Sequence, residues 1–259
     1  MSGVHETATG FDGVAAEYES ARPGYEASIV GRMVDLLGLR AGRRVADVGA
    51  GTGKLTRSLL TTGAEVVAVE PMAGMREQLR RSIPAPELDI VAGTAEDLPF
   101  PDGSLHAVTA AQAFHWFAGP EALAEFHRVL RPDGHLGVIF NRRDLSTPVQ
   151  GALDELLLPH RGDTPSWARH EWVEWLTESP HFAAPVTDSA PWVQHLDAEG
   201  LVARIASVSF VARLDDRTRA RVLAAVRDLY DGSRKDPDGR VPLHYTTELW
   251  VLARRDADS

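Results

Sequence analysis

The stretch Val45-Ala46-Asp47-Val48-Gly49-Ala50-Gly51-Thr52-Gly53 constrains this chain more than any other. A short apolar run meets glycines at alternate positions, and Lys54 to Leu60 follows with helical spacing. The pattern reads as a strand, a tight turn and a helix start. Glycines here permit positive φ and let a ligand approach the backbone where a Cβ would push it away. The helix start adds free N–H groups. Two familiar nucleotide loops do not fit. A Walker-type loop needs Gly-x4-Gly-Lys-Ser/Thr, whereas Leu55 follows Lys54 and Val48 stands in place of the first glycine. The dinucleotide loop needs Gly-x-Gly-x-x-Gly, and Lys54 takes its last place. Asp47 is foreign to a buried parallel strand, and a carboxylate there suits a ligand with a positive or hydroxyl-rich group. The loop alone leaves the cofactor class open.

Size and charge narrow the classes of function. At 259 residues the chain suits one large α/β domain or a domain with an elaborate cap. Apolar residues make up 44%, enough for a sizeable core. The formal charge of −10 repels a phosphate backbone, so nucleic acid is not an expected partner. It also opposes an anionic membrane, while a local basic pocket stays compatible with an acidic metabolite. The absence of cysteine excludes disulfides and thiolate metal sites and fits a cytoplasmic location. Met1 to Gly10 lacks the apolar core of a signal peptide. No run approaches the roughly 20 apolar residues of a membrane helix.

Along the chain, Ile29, Met33, Leu36 and Leu37 fall at helical spacing and Gly38 ends the run. Strands are expected at Glu65–Glu70, Leu88–Ala92, Leu105–Ala111 and His135–Phe140, the last entered through a turn at Arg131-Pro132-Asp133-Gly134. Helices are expected around Met72, Met75 and Leu79, and from Pro120 to Leu130. Such alternation implies a parallel sheet covered on both faces. The rhythm changes after Asn141, where Trp, Pro and His become frequent. Helical cap segments are expected there, then a returning strand near Pro185 to His195, a helix capped by Asp197, a helix from Asp215 to Tyr230, and a closing strand from Val241 to Ala253.

Glu70 ends the second strand, 21 residues beyond Gly49. An acid at that distance can accept both ribose hydroxyls of an adenosine-type cofactor. The spacing fits NAD and S-adenosylmethionine (SAM) equally. The loop Gly93-Thr94-Ala95-Glu96-Asp97-Leu98-Pro99 follows the third strand, where its backbone can read an adenine edge, and supports SAM more specifically.

With these segments in hand the chain resembles the class I SAM-dependent methyltransferases, type 11 subfamily, in the small-molecule group that includes trans-aconitate methyltransferase relatives. The matching segments are Tyr18-x-x-x-Arg22-Pro23-x-Tyr25, Val45 to Gly53, Val66 to Pro71, Gly93 to Pro99, Gln112 to Trp116 and Arg128 to Pro132. The resemblance implies a Rossmann-like, seven-stranded, mostly parallel sheet with helices on both faces, the last strand antiparallel, and a helical cap. It divides the chain into a lid and first helix (1–40), a SAM-binding core (41–141), a cap with a returning strand (142–235) and a closing strand (236–259).

Carried over by position, the resemblance puts Gly49, Ala50, Gly51, Thr52 and Gly53 near the methionyl part of SAM, with Asp47 orienting it. Glu70, with Pro71 and Met72 beside it, takes the ribose hydroxyls. Thr94, Ala95 and Glu96 take the adenine, and Gln112 touches the cofactor. Two departures stand out: many relatives carry an acid where Thr94 stands, and His106 replaces a common Asp, an exchange expected to act on local structure. Tyr18, Arg22 and Tyr25 are placed either to fold over the cofactor, Arg22 meeting its carboxylate and Tyr25 facing the acceptor, or to serve as a structural latch. His115 and Trp116 follow the strand end that faces the methyl group, so they are candidate acceptor contacts, with His115 the candidate catalytic residue. Trp167, Trp172 and Trp175 are expected in the core of the cap. His170 and Glu174 stand four apart but lack a third ligand, so no metal is expected.

The implied activity is methyl transfer from SAM to a small acceptor, with a carboxylate or hydroxyl oxygen favoured. A SAM-binding sensor without transfer activity and, further off, an NAD-dependent oxidoreductase are the rival readings.

Overall fold

The computed structural model describes residues 22–164 and 171–255; Tyr18, Trp167 and His170 lie outside them. The first described helix, α1 (Ala27–Leu37), starts at Glu26, whose side chain accepts from the N–H groups of Ser28 and Ile29, and stops at Gly38. It buries Ile29, Met33 and Leu37. Then come β1 (Arg44–Val48), α2 (Lys54–Leu60), β2 (Glu65–Val69), α3 (Ala73–Ser82), β3 (Asp89–Val91), β4 (Leu105–Ala111), α4 (Pro120–Val129) and β5 (Leu130–Arg143). The remainder comprises α5 (Pro148–Leu157), α6 (Glu171–Thr177), β6 (Val186–Leu196), α7 (Ala198–Ala206), α8 (Ser209–Ala212), α9 (Asp216–Gly232) and β7 (Val241–Ala253).

These strands form one seven-stranded sheet in the order β3-β2-β1-β4-β5-β7-β6. From β1 to β5 every pairing is parallel, while β7 runs against both β5 and β6. The reversed last strand expected from the resemblance is therefore present. Successive strand residues enter opposite cores, as a period of two requires. Val45, Val66, Ala68, Ala107 and Ile139 join α1, α2 and α3 on one face. Ala46, Val48, Val67, Val108, Val138 and Phe140 join α4 on the other. Burial on both faces explains why these strands read as continuous apolar runs.

A third apolar cluster joins α5, α7 and α9 to the start of β7 through Leu153, Leu157, Leu201, Ile205, Val226 and Tyr245. Because Tyr245 pairs with Arg143, this helical layer stands at the carboxyl end of β5. Trp172 of α6 departs from expectation. It packs on Phe140 at 4.5 Å and on Trp250 at 4.9 Å, so it belongs to the core of the sheet and not of the cap. Trp175 is 44% exposed.

The expected turn at Arg131 to Gly134 lies inside β5. Leu105 pairs with Leu130 and Ala107 with His135, so these residues bulge from a ladder that continues on both sides. Nor does β5 end at Phe140. Its pairing with β7 runs on to Arg143, and Asn141 is buried in that extension. The Asn141 amide donates to Gly24 O at 2.6 Å and accepts from Thr247 Oγ1 at 2.6 Å, tying the segment before α1 to both strands.

Candidate functional site

Strand order reverses between β1 and β4: the chain runs outward through β2 and β3, then returns to the other side of β1. Open α/β sheets bind ligands beyond the carboxyl ends of the strands at such a point. A large cleft opens there. One wall is built from Gly49–Thr52, Glu70–Met72, Thr94–Glu96 and Gln112, with Arg22, Tyr25, His115 and Trp116 also lining the cleft.

The glycine loop follows β1 closely. The N–H groups of Gly49 and Ala50 both donate to Val69 O, at 2.9 and 3.1 Å, which ties the loop to β2. Gly49 has φ of +68°, and a Cβ there would lie 2.7 Å from that of Ala113. Glu70 is 5% exposed and held from two sides. One carboxylate oxygen accepts from Gly51 N–H and the other from Met72 N–H, both at 2.9 Å. A carboxylate can accept from several donors at once.

Gln112 is the sole non-glycine residue with positive φ among the described residues, at +54°. Its N–H still donates to Ile139 O at 2.9 Å, so the strain falls where β4 breaks off. Such a conformation costs on the order of 1–3 kcal/mol and concentrates at functional sites. The Gln112 Oε1, the Thr52 Oγ1 and the His115 Nδ1 are buried with no hydrogen-bond partner among the described residues. His115 lies in a short 3₁₀ turn, its ring 4.9 Å from Trp116 and 5.7 Å from Phe140. Burial, reinforced by the Arg22 guanidinium, pushes its pKa down to about 3, so the imidazole is neutral at pH 7.

A methyltransferase-domain family model matches residues 46–138. An uncharacterized methyltransferase-like protein of Schizosaccharomyces pombe is 34% identical over 83% of this chain and 83% of its own length. The chain belongs to the class I SAM-dependent methyltransferases. An uncharacterized methyltransferase of Mycobacterium tuberculosis is 35% identical, covering 85% of this chain and 84% of that protein. Among solved structures, a candidate type II methyltransferase from Anaeromyxobacter dehalogenans has a TM-score of 0.65 at 24% identity, covering 90% of this chain and 97% of that one. A geranyl diphosphate methyltransferase in complex with SAM has a TM-score of 0.51 at 16% identity, covering 89% and 86%. The last two likenesses concern the fold.

SAM is the cofactor of this methyltransferase, and the wall fits it. The wall offers a fixed carboxylate, a loop free of Cβ at its closest points, and unpaired acceptors on Gln112 and Thr52. Asp47 stands apart from the expectation. It is 1% exposed and does not line the cleft. Its two oxygens accept from Thr56 Oγ1 at 2.6 Å and Thr109 Oγ1 at 3.0 Å, so it braces α2 and β4 behind the loop. Burial raises its pKa to about 6 against the pull of both hydroxyls. Gly53 also stands behind the wall, where a Cβ would meet Leu79 and Ile83. The His106 Nδ1 accepts from Arg44 N–H at 3.0 Å, a local contact outside the cleft.

Sequence reasoning missed the opposite wall of the methyltransferase cleft, where Asn141, Arg143, Gln150, Arg161, Arg204 and Tyr245 lie. A signal was present for Arg204. It falls three residues after Leu201 and one before Ile205, on the stripe that α7 buries. A lone arginine on an apolar stripe needs a partner.

Proposed function

We propose that this methyltransferase moves the SAM methyl group to a carboxylate or hydroxyl oxygen of a small acceptor held beside His115 and Trp116. SAM supplies an already activated methyl group, so the protein's task is alignment and exclusion of water. Glu70 accepts from the ribose hydroxyls, the backbone of Thr94, Ala95 and Glu96 meets the adenine, and the loop from Gly49 to Thr52 carries the methionyl part. Arg22 meets the cofactor carboxylate, and Tyr25 and Trp116 flank the acceptor.

The observation that carries this reading is His115, whose Nδ1 is buried and unpaired on the loop after β4. With a pKa near 3 it is a weak base at pH 7 and positions the acceptor by hydrogen bonding. An acceptor carboxylate is ionised at that pH and needs no base. The motifs shared with trans-aconitate methyltransferase relatives support an acidic acceptor. The composition supports a cytoplasmic enzyme that does not act on nucleic acid. In this scheme residues 41–141 hold the cofactor and residues 142–235 choose the acceptor.

Calorimetry with S-adenosylhomocysteine and NAD tests the cofactor roles, and mass spectrometry across small acids, phenols and amines tests transfer. S-adenosylhomocysteine should bind and NAD should not. Glu70→Gln should weaken S-adenosylhomocysteine by about 1.5–3 kcal/mol, the worth of a bond to a charged group. Cofactor binding without mass gain in any acceptor class would point instead to a sensor. Unchanged affinity in Glu70→Gln would refute the ribose assignment.

A further inference from the structure

The wall opposite the glycine loop carries more positive charge than its own acids neutralise. Arg143 is the last residue of β5, Arg161 follows α5, and Arg204 lies in α7; all three line the cleft. Asp154 of α5 is their one carboxylate partner among the described residues. Its Oδ1 accepts from Arg143 Nη2 at 3.1 Å and from Arg161 Nη2 at 2.8 Å. Three guanidinium groups against one carboxylate leave two positive charges uncompensated.

Arg204 is the extreme case. It is 9% exposed, and its Nε and Nη1 are buried with no hydrogen-bond partner among the described residues. A buried charge in that condition is strongly destabilising unless a ligand completes it. Burial and the neighbouring Arg204 also hold the Arg143 guanidinium below its usual pKa.

Gln150 adds an independent sign. Its Oε1 accepts from His244 N–H at 2.7 Å and from Thr147 Oγ1 at 3.1 Å. A backbone N–H can only donate, so this contact fixes the amide's orientation. Nε2 is then the group left buried and unpaired. The three unpaired atoms, Arg204 Nε, Arg204 Nη1 and Gln150 Nε2, are all donors. The whole chain carries a net charge of −10, so this is a local positive pocket in a molecule whose overall field repels anions.

We propose that Arg143, Arg161 and Arg204, with Gln150, form an anchoring subsite for an acidic group of the methyl acceptor, a carboxylate or a phosphate. The subsite rests on the acceptor reading above and deepens it, because the anchored group is distinct from the oxygen that is methylated. Guanidinium pairing draws negative charge off an oxygen and blunts it as a nucleophile. The reacting oxygen belongs near His115, on the loop after β4, whereas the arginines lie beyond β5 and in the helical layer. The acceptor therefore carries at least one anionic group that survives the reaction.

Titrating the protein saturated with S-adenosylhomocysteine tests the subsite without knowledge of the acceptor. Succinate, tricarballylate and inorganic phosphate serve as probes, with neutral succinamide as control, and calorimetry is the readout. At least one anion should bind and succinamide should not; preference for the carboxylates or for phosphate identifies the acidic group. Arg204→Met and Gln150→Glu should each weaken the anion by about 10- to 100-fold, with S-adenosylhomocysteine affinity unchanged. Gln150→Glu keeps the acceptor that His244 needs, so its fold is preserved. Without anion, Arg204→Met should melt no lower than the parent, since it removes an unpaired buried charge; a structural arginine predicts a lower melting temperature. Absence of anion binding by the parent, or undiminished binding by both variants, overturns the proposal. So does loss of S-adenosylhomocysteine affinity in the variants, which would make the arginines cofactor ligands. Anion binding by a parent protein that ignores S-adenosylhomocysteine would strike the proposed transfer and leave the subsite standing.

Discussion

Gly49 and Gly51 both adopt positive φ and both line the cleft, yet alanine should harm them in different ways. Gly51 has φ of +56°, and a Cβ there would meet nothing within 4 Å. Its alanine variant therefore bears only the cost of a left-handed backbone, about 1–2 kcal/mol. Gly49 bears the same cost and adds a collision, 2.7 Å from the Cβ of Ala113. Ala113 has no rotamer with which to withdraw, so the loop or the end of β4 must move. Overpacking of that kind costs typically 1–3 kcal/mol more. Urea denaturation should therefore show Gly51→Ala down by about 1–2 kcal/mol and Gly49→Ala by about 2–5. Ligand binding should rank them differently. The methyl added at Gly51 projects into open space on the cofactor wall, so S-adenosylhomocysteine should bind at least about tenfold more weakly despite the small loss of stability. The reasoning fails if Gly51→Ala is the less stable of the two, or if Gly49→Ala unfolds with the parent.

Asp47 keeps its proton to about pH 6 when folded, against 3.8 for the free group. A raised pKa confers stability that is complete below the unfolded value and is lost as pH rises through the folded one. Relative to Asp47→Asn, the parent should lose on the order of 2 kcal/mol between pH 4 and pH 7; a difference that stays constant with pH would sink this account. His115→Gln should raise the apparent KM for the acceptor and lower turnover by less than tenfold, leaving the pH profile between 5 and 8 unchanged. A loss of 10²–10⁴-fold, together with loss of a pH limb near neutrality, would make it the base after all. Trp172→Ala should destabilise the fold by about 3–5 kcal/mol and leave acceptor preference alone; altered acceptor preference in a stable variant would assign Trp172 to the pocket.

The elements legible in advance were those that obey local rules. Glycine spacing announced the turn after β1, and two-sided burial announced β1, β2 and β4 as apolar runs. The helix caps at Gly38 and Asp197 sit where residue type placed them. The failures share a cause, which is that the deciding partner is distant in sequence. Arg131 to Gly134 is turn-like by composition, but Arg254 N–H donates to Gly134 O at 2.9 Å and Arg254 Nη1 to Leu130 O at 2.8 Å, keeping it on the ladder. Asn141 looks like the end of a strand until β7 continues the pairing to Arg143.

The same division holds for the site. The amino-acid order alone determined a nucleoside-type cofactor on a parallel sheet, because glycines, a strand-end acid and a loop follow three successive strands of one βαβαβ half. It also determined where His115 and Gln112 lie, since both fall within four residues of the end of a strand that faces the cleft. The role of Asp47 was a tertiary decision: whether its carboxylate meets a ligand or two threonines depends on Thr56 and Thr109, brought to it by a helix and a neighbouring strand. Tertiary structure also assembled the arginine wall. Arg143, Arg161 and Arg204 come from a strand end, a post-helical turn and a buried helix stripe, and no local rule relates them. Charge acts through space, so their meaning appears only once folding has brought three cations to one wall, two of them sharing one carboxylate, and left the surplus facing the cleft.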